Sequence, residues 1–405
     1  MEAKTVLSLE QALALPYATQ RFVHLGWRVI RIESTVGGGD PNRYIGSDKG
    51  IKDLNSYFIA PNIGKEAITI NLKIEEGQEL LRKVIKELKV DIFLCNTLPM
   101  RYKQLGIDFE TLKEANPELI WCGISALGPD YPDIAGYDPA LQAMLGCMHL
   151  TGEPDRDPML CGIPVVDLKA GDEAFSQVLL ALLEQKDLSP TLSKGEGEGN
   201  GKEIFISMAQ CFTSWLITAL PELAFNPEET GRFTRSGNEH RSFIPCNCYS
   251  TKDGYVYLAI GNDIQWEKLT KIKGFEHTAK PERKTNAGRN IDKENIYEDI
   301  RQGTKLYTNS EFIKVCVENN LAVAPVNTIP EVANLEFVKK NMLKTKLPLG
   351  KTVELFTAPI NTDFLMQRDM NLELAPRLGE HNDSIFKEIG LSSEEIEKLK
   401  EEGII

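Results

Sequence analysis

The feature that most constrains the fold is an alternation of strand-like and helix-like segments through about the first 125 residues. The strand-like segments are short and rich in β-branched residues, and they read TVLSL, WRVIRIES, AITINL, DIFLCN and LIWCGIS. Longer helix-like segments such as EEGQELLRKVIKELK separate them. Strands that alternate with helices in this way form βαβ units, which build one parallel sheet with helices on its faces. The sequence therefore predicts an α/β fold with a Rossmann-like large domain.

Polar segments follow several of these strands. GGGDPNR follows VIRIES, Asn96 follows DIFLC, and SALGPDYPDIAGYD follows LIWCGI. Because ligands of parallel sheets bind beyond the carboxyl ends of the strands, we expect the ligand site here. No helix closely follows the glycine run Gly37-Gly38-Gly39, so the dinucleotide fingerprint is not met and NAD binding is a weak interpretation.

The rest of the chain indicates a second, smaller domain. Lys252-Asp253-Gly254 is a predicted hairpin turn between CNCYS and YVYLAIG. We predict a large α/β domain over 1–200, a linker helix over 201–226, a small α+β domain over 227–325, and a return to the large domain over 326–405. His240, in the polar segment RSGNEH, has surroundings typical of a loop that contacts either a ligand or only solvent.

Charge and cysteine content argue against several classes of protein. The formal net charge of −13 argues against binding to nucleic acid or an anionic membrane. No apolar run is long enough to span a bilayer and MEAKTVLSLEQ lacks the pattern of a signal peptide, so we predict a cytoplasmic protein. The eight cysteines lack paired CxxC spacing, which favours reduced thiols over disulfides or zinc, and we predict no metal site.

Asp167 ends the apolar run CGIPVV and precedes the helix-like segment LKAGDEAFSQVLLALLEQ. An acid at this position commonly accepts hydrogen bonds from the free amides of a first helical turn. A carboxylate can also attack an activated carbonyl and form a mixed anhydride, provided that its surroundings keep it ionised and hold it in line. The residue types alone favour the helix cap by roughly two to one, because caps are common and nucleophilic aspartates are rare.

Several segments, taken in order, resemble the family III CoA-transferases, which include formyl-CoA:oxalate and carnitine CoA-transferases. The resemblance covers essentially the whole chain, and its segments are PYATQRFVHLGWRVIRIES, GGGDPNR, NIGKEAITINLK, GYDPALQAMLG, RSGNEHRSFIPCNCYSTKDGYVYLAIGN and RLGEHNDSIFKEIGLSSEEIEKLKEEGII. The opening PYATQRFVHLGWRVIRIE is most similar to the succinyl-CoA:benzylsuccinate branch. The family's fold implies two interlocked subunits, as a homodimer or as a heteromer of related chains.

The resemblance implies a covalent mechanism centred on Asp167, which precedes Gly171 by four residues as the family's nucleophile precedes its glycine. Asp167 would attack an acyl-CoA donor, carry the CoA as an aspartyl thioester, and pass it to a carboxylic acid acceptor. Candidate donors to the oxyanions are Gln20 and main-chain amides near Gly171. CoA is then a substrate, and no permanently bound cofactor is implied.

The resemblance also implies a set of CoA contacts, at Arg43, Lys73, Asn96 and Tyr137. The family usually has N-x-R-P-G after its fourth strand, whereas this chain has Asn96-Thr97-Leu98-Pro99-Met100. The arginine and glycine of that motif are absent, and Arg101 or Lys103 is the expected replacement. Cationic side chains suit CoA because arginine binds phosphate bidentately.

Two alternatives within the resemblance stay open. Related acyl-CoA racemases have G-H-D where this chain has Gly136-Tyr137-Asp138, so a base with a pKa near neutrality is absent here and a transferase is favoured. The chain could also be the mainly structural subunit of a heteromeric transferase, although it retains Asp167. A CoA-binding module without enzymatic activity would need no nucleophile at all.

Overall fold

The structure is a computed structural model that describes residues 2–187, 200–228, 233–348 and 350–405. The chain divides into two compact units. Unit 1 comprises Met1–Leu145, Gly162–Phe225 and Phe337–Ile405, and unit 2 comprises Gly146–Cys161 and Asn226–Glu336.

The strands of the described residues are β1 (Thr5–Leu9), β2 (Arg28–Glu33), β3 (Glu66–Thr69), β4 (Ile92–Cys95), β5 (Ile120–Ser125), β6 (Lys202–Ser207), β7 (Cys246–Ser250), β8 (Tyr255–Ala259), β9 (Ala322–Pro325), β10 (Met342–Lys346) and β11 (Thr352–Thr357). The helices are α1 (Ala14–His24), α2 (Ser56–Ile59), α3 (Glu75–Glu87), α4 (Phe109–Lys113), α5 (Asp138–Met144), α6 (Cys147–Leu150), α7 (Val165–Asp187), α8 (Met208–Thr213), α9 (Leu220–Phe225), α10 (Asp263–Leu269), α11 (Asn286–Ile291), α12 (Lys293–Thr304), α13 (Asn309–Glu318), α14 (Ile329–Asn334), α15 (Glu336–Lys339), α16 (Asp363–Gln367), α17 (Asn382–Glu388) and α18 (Ser393–Glu401).

Unit 1 is built on a six-stranded parallel sheet with the order β3-β2-β1-β4-β5-β6. The central strand β4 reads IFLC, and every residue in it is buried. A parallel sheet covered by helices on both faces requires such continuous apolar strands, in contrast to the alternating pattern of a half-exposed sheet. The predicted Rossmann-like α/β fold is therefore confirmed.

Side chains that precede and begin α17 cover the β3 edge of the sheet. The backbone N–H of Ala67 donates to Nδ1 of His381 at 3.1 Å, and the N–H of His381 donates back to the carbonyl of Ala67 at 2.9 Å. Thr69 donates its N–H to Oδ1 of Asn382 at 2.9 Å. Because these bonds occupy backbone groups of β3, they blunt an edge that could otherwise pair with another strand.

Residues 201–226 differ from the single linker helix that the sequence predicts. Lys202–Ser207 forms strand β6, which pairs in parallel with β5 from Ile120 to Ser125. The alternating β-branched pattern of EIFIS explains the strand. The helical pattern that follows is broken because Leu216 leaves helical dihedral angles, with φ −77° and ψ 20°, and two short helices result.

Unit 2 contains the three-stranded antiparallel sheet β7-β8-β9. Cys246 pairs with Ala259 and Ser250 pairs with Tyr255, which confirms the predicted hairpin around Lys252-Asp253-Gly254. Unit 2 also takes in residues 146–161, which the sequence assigns to the large domain. The N–H of Gly237 donates to the carbonyl of Gly152 at 2.9 Å, so that this segment joins the start of the smaller unit.

No helix among the described residues is long and apolar enough to cross a membrane. No group of three or more histidine, cysteine, aspartate or glutamate side chains among them could hold a metal ion.

Candidate active site

The site lies where the strand order of the sheet reverses, between β1 and β4. In open parallel sheets the loops on either side of such a switch point diverge and leave a crevice for ligands. Gln11, beyond the end of β1, and Asn96, beyond the end of β4, are joined here by two hydrogen bonds. The N–H of Gln11 donates to Oδ1 of Asn96 at 3.1 Å, and Nδ2 of Asn96 donates to the carbonyl of Gln11 at 2.7 Å.

Two neighbouring cavities open at this switch point. The first cavity, of about 210 Å³, lies over the carboxyl ends of β1 to β4, and its walls include Lys73. The second cavity, of about 270 Å³, lies over the carboxyl ends of β1, β4 and β5, and its walls include Tyr137 and Asp167. The two cavities share the wall residues Gln11, Asn96, Thr97 and Arg101. The structure therefore brings Lys73, Asn96, Arg101, Tyr137 and Asp167 of the predicted site to one crevice.

Asp167 occupies the first turn of α7 and is half-buried in the wall of the second cavity. Burial, and then the nearby Asp138 carboxylate, raise the pKa of Asp167 to about 7. Ionising groups perturbed by both desolvation and a specific neighbour are concentrated in active sites. Near pH 7 the Asp167 side chain is therefore divided between the neutral acid and the carboxylate, and only the carboxylate is nucleophilic.

Asp138, and not Asp167, caps the beginning of α7. Its Oδ2 accepts the backbone N–H of Val166 at 2.8 Å and that of Asp167 at 3.2 Å, while its Oδ1 accepts from Nε2 of Gln142 at 2.5 Å. These bonds satisfy free amides of the first turn, which is the task of a capping side chain. Asp138 is buried and 28 residues before Val166 in sequence, so sequence proximity did not reveal it. The carboxylate of Asp167 is left to face the cavity.

Gly171 allows the close packing of α7 against α1. A Cβ atom at this position would lie 2.7 Å from the carbonyl oxygen of Ala14 and 2.8 Å from Cδ1 of Tyr17. Residues four apart lie on the same face of a helix, so the glycine brings α1 next to the turn that carries Asp167. The structure places Gly171 inside α7, where its amide belongs to the helical ladder, and thus gives the glycine a packing role in place of the predicted oxyanion contact.

Gln20, the other predicted oxyanion donor, is fully buried in α1. Its Nε2 donates to the carbonyl of Ala60 at 2.6 Å. Gln20 is not among the wall residues of either cavity in the described structure. Gln11, in contrast, lines both cavities, and the signal that could have revealed it is its position two residues after the first strand.

Of the predicted CoA-binding residues, Lys73, Arg101 and Tyr137 line a cavity, whereas Lys103 does not. Lys73 and Arg101 are exposed and line the first cavity, and Arg101 also lines the second. Lys103 is exposed but lies outside the walls of both. Tyr137, at 74% exposure, lies directly before α5 and lines the second cavity.

The position of Arg43 contradicts the predicted CoA contact, because its guanidinium is completely buried. Its Nε donates to Oε2 of Glu33 at 2.9 Å, and its Nη2 donates to the other oxygen of the same carboxylate. Nη1 donates to the carbonyls of Pro376 at 2.9 Å and Asp53 at 3.2 Å. The charge is therefore neutralised inside the protein, and no guanidinium face is presented to a phosphate.

The same ion pair argues against a dinucleotide site. In dinucleotide-binding Rossmann folds an acid near the end of the second strand binds the ribose, and the first turn is rich in glycine. Here the acid at the end of β2 is Glu33, which is buried against Arg43. The first turn reads EQALAL and has no glycine.

Tyr57 is a further residue near Asp167 that the sequence did not reveal. It lies in α2 and is partly exposed. Burial, and then the carboxylates of Asp167 and Asp138, raise the pKa of the Tyr57 phenol. Tyr57 therefore lies within electrostatic reach of Asp167, although it is not among the described residues that line either cavity.

Fold and site together define a Rossmann-like α/β protein with a half-buried carboxylate in a switch-point cavity. The family model for CoA-transferase family III matches residues 1–382. The chain therefore belongs to CoA-transferase family III, whose members move CoA between acyl-CoA thioesters and acids.

Individual relatives agree with this assignment. The chain is similar to the succinate–glutarate CoA-transferase of Agrobacterium fabrum, with 30% identity over 95% of this chain and 94% of the relative. It is also similar to the succinyl-CoA:glutarate CoA-transferase of Mus musculus, with 27% identity over 100% and 90% of the two chains. Among solved structures, a CaiB/BaiF family protein from Brucella suis matches with a TM-score of 0.79 and 29% identity, over 96% of this chain and 98% of that one.

Proposed function

We propose that this CoA-transferase takes CoA from succinyl-CoA and passes it to a dicarboxylic acid, with Asp167 as the covalent nucleophile. The donor and acceptor class is suggested by relatives named for succinate and glutarate, for glutarate and for D-citramalate. The observation that supports the role of Asp167 is its raised pKa in the wall of the second cavity, while another acid caps its helix. Benzylsuccinate is also a dicarboxylic acid and is the second candidate acceptor.

The proposed reaction proceeds through four transfers. The ionised Asp167 oxygen attacks the thioester carbonyl, and the C–S bond breaks to give an aspartyl-acyl anhydride and CoA thiolate. The thiolate attacks the aspartyl carbonyl, releases the donor acid and leaves an aspartyl-CoA thioester. The acceptor carboxylate attacks this thioester to form a second anhydride, and the thiolate then takes the acceptor acyl group and frees Asp167.

The two cavities suggest how CoA is held. Each is smaller than the roughly 300 to 1,000 Å³ typical of a small-molecule site, so a ligand as long as CoA would extend through both. We place the thioester in the second cavity beside Asp167. The phosphates would then lie in and around the first cavity, where Lys73 and Arg101 supply positive charge and Asn96 supplies an amide.

The site favours transfer over racemisation. A racemase needs two groups that exchange the α-proton with the substrate. Among the described residues that line the second cavity there is no histidine, and Tyr137 stands where the racemases have one. During turnover in D₂O, we expect the α-proton of the acyl-CoA substrate not to exchange with deuterium. Rapid exchange would favour the racemase.

The decisive experiment is to trap the acyl-enzyme. The purified protein is incubated with succinyl-CoA, acetyl-CoA or formyl-CoA, treated with hydroxylamine, and digested for mass spectrometry. We expect a hydroxamate at Asp167 that is absent from Asp167→Asn. Asp172→Asn is the matched control, because Asp172 lies on the same helix but pairs with Arg21. Labelling of Asp172, or no labelling with any donor, would contradict the proposal.

Acceptors are compared next, with the donor that labels most strongly. The panel contains glutarate, D-citramalate, oxalate and benzylsuccinate, with butyrate as a monocarboxylic control. We expect CoA to pass to at least one dicarboxylic acid much faster than to butyrate. Equal rates with butyrate would contradict the dicarboxylic class without affecting the role of Asp167.

We also propose that the working enzyme is an interlocked dimer, formed from two copies or from this chain and a related one. Large exposed apolar side chains support association, with Ile217 at 74%, Phe225 at 78% and Ile329 at 81% exposure. Native mass spectrometry of the purified chain tests this, and an active monomer would refute it. The eight cysteines lack paired CxxC spacing, which is typical of a protein of a reducing compartment, and we propose the cytoplasm. Cell fractionation tests that location.

A further inference from the structure

The first cavity, where the proposed function places the phosphates of CoA, has acidic residues in its wall. Glu10, Glu33 and Asp40 line it, and each is only 3% exposed. Among the described residues that line this cavity they outnumber the cations, which are Lys73 and Arg101. A carboxylate repels a phosphate, and the repulsion grows as the surroundings become less polar than water. The wall therefore suits CoA only if other charges offset these acids.

Two buried arginines offset Glu33 and Asp40. Nε of Arg31 lies 3.2 Å from Oε1 of Glu33, and its Nη2 lies 3.1 Å from Oδ2 of Asp40. Nη2 of Arg43 also pairs with Oε1 of Glu33. Both arginines are completely buried, and neither is among the described residues that line the cavity. They therefore compensate these two acids without contacting a ligand in the cavity.

Lys65 offsets Glu10, the remaining acid. Its Nζ lies 2.7 Å from Oε1 of Glu10, and both side chains are completely buried. The same Nζ donates to the carbonyl of Pro16 at 2.9 Å, to Oγ1 of Thr19 at 2.8 Å and to Oδ1 of Asn62 at 3.0 Å. An ammonium group has three hydrogens, so these acceptors occupy it fully. Lys65 is held in place and is not among the described residues that line the cavity.

Glu10 is the residue that joins β1 to a strained turn in the wall of both cavities. Gln11 lines both cavities and Ala12 lines the second. Ala12 has a φ of 61°, in the left-handed region that residues other than glycine rarely adopt. Nδ2 of Asn42 donates to the carbonyl of Ala12 at 2.8 Å, and Oδ1 of Asp40 accepts its N–H at 3.4 Å. A strained turn persists only where its surroundings hold it, so the position of Glu10 affects both cavities.

We infer that Lys65 is a positioning residue for CoA, which neutralises Glu10 in the wall of the first cavity and so allows the phosphates to bind there. The inference rests on the proposed placement of the phosphates in that cavity. Without the ammonium group, the cation that remains beside Glu10 among the described residues is Arg31, at 3.6 Å. Arg31 is already shared with Glu33 and Asp40. Loss of Lys65 therefore leaves one net negative charge beside the phosphates.

The substitution Lys65→Met removes the charge and keeps most of the length of the side chain. Isothermal titration of the full chain with desulfo-CoA, which lacks the ionisable thiol, measures the effect. We expect about tenfold weaker binding, because a unit charge roughly 10 Å from a phosphate has an effect of this order at an effective dielectric constant of about 20. In steady-state kinetics the same variant should raise KM for the acyl-CoA with little change in kcat.

A double variant, Lys65→Met with Glu10→Gln, separates the charge of Lys65 from the hydrogen bonds that it makes. The charge balance is restored, whereas the bonds to Pro16, Thr19 and Asn62 stay lost. A buried ion pair can often be replaced by neutral side chains without loss of stability. We expect the affinity for desulfo-CoA to return close to that of the parent protein. Affinity as weak as in Lys65→Met alone would overturn the inference, because Lys65 would then act only through its hydrogen bonds.

Lys4→Met is the matched control. It also removes one positive charge from unit 1 and breaks an ion pair of 2.6 Å with Asp91, and neither residue is among the described residues that line the two cavities. We expect its affinity for desulfo-CoA to be unchanged. Equal weakening in Lys4→Met and Lys65→Met would overturn the inference. If Lys65→Met fails to fold, Glu10→Gln decides: it should bind desulfo-CoA at least as tightly as the parent protein, and weaker binding would overturn the inference.

Arg101→Gln, measured in parallel, distinguishes failure of the inference from failure of the proposed placement of CoA. If Arg101→Gln weakens the binding of desulfo-CoA and Lys65→Met does not, the inference alone fails. If neither variant weakens binding, the phosphates do not lie in the first cavity, and the placement and the inference fail together. The same holds if the parent protein does not bind desulfo-CoA.

Discussion

Replacing Asp167 by asparagine should make the protein more stable above neutral pH. The pKa of Asp167 rises from 3.8 to about 7 on folding, so between these values the folded state binds more protons than the unfolded state. Stability therefore falls as pH rises through this window. Since each tenfold change in proton affinity is worth about 1.4 kcal/mol, the ionised side chain costs the folded state on the order of 4 kcal/mol above pH 7. Asparagine keeps the shape and has no charge to ionise.

Denaturant unfolding of both proteins at pH 4 and pH 8 measures this cost. We expect similar stability at pH 4, where both side chains are neutral in the folded state, and a clear advantage for Asp167→Asn at pH 8. Asp172→Asn should show no such advantage, because Asp172 loses an ion pair with Arg21. If Asp167→Asn is no more stable than the parent protein at pH 8, the reasoning fails. Because asparagine caps a helix about as well as aspartate, Asp167→Ala tests the capping role: a loss of about 1 kcal/mol at both pH values, the typical cost of a lost cap, would make Asp167 a capping residue.

Three further substitutions, together with one matched control, test other parts of the site. Asp138→Asn removes the like charge beside Asp167, so the acid limb of the pH profile of kcat/KM should move to lower pH; an unmoved limb would contradict the electrostatic coupling. Gly171→Ala should cost about 1 to 3 kcal/mol of unfolding free energy, because its Cβ would lie 2.7 Å from a carbonyl oxygen of α1. Denaturant unfolding measures that loss, and a neutral result would refute the packing role. Arg101→Gln should raise KM for the acyl-CoA by about tenfold with little change in kcat, whereas Lys103→Gln, whose side chain lies outside both cavities, should leave KM nearly unchanged. Equal effects in steady-state kinetics would refute this division.

The parallel sheet was predictable because its signal is local. The strand TVLSL and the buried run IFLC carry their own β-branched and apolar patterns, and a strand with both faces covered has little freedom to be anything else. The single linker helix over 201–226 was wrong at its start, because EIFIS has a local strand pattern and forms β6. Asp167 was singled out by its place at the start of a helix and by resemblance.

The partners of these residues were not predictable from local pattern. Asp138 reaches the amide of Val166 across 28 residues, and Arg43 bonds to the carbonyl of Pro376 across 333. Contacts of this kind are set by how the elements pack, which a single sequence does not display. The sequence alone therefore could not show whether Asp167 caps its helix. In the structure a second acid, Asp138, occupies the capping position.

Whether a basic residue in the first third of the chain can bind a ligand depends on whether acidic residues of the protein already neutralise its charge. Below the crevice lies a buried network that joins Glu10, Glu33 and Asp40 to Arg31, Arg43 and Lys65. Burial acts to raise the pKa of Glu10, but Lys65 and Arg31 outweigh it and hold that pKa below its usual value.

A buried cation is stable only when such partners compensate it, so Arg43 and Lys65 are committed to this network and cannot also bind a ligand. Lys73 and Arg101 lie outside it, at the exposed wall of the first cavity, and keep their charge available to phosphate. A count of charged residues in the sequence does not distinguish these cations. Burial separates those that build the floor of the crevice from those that can hold CoA.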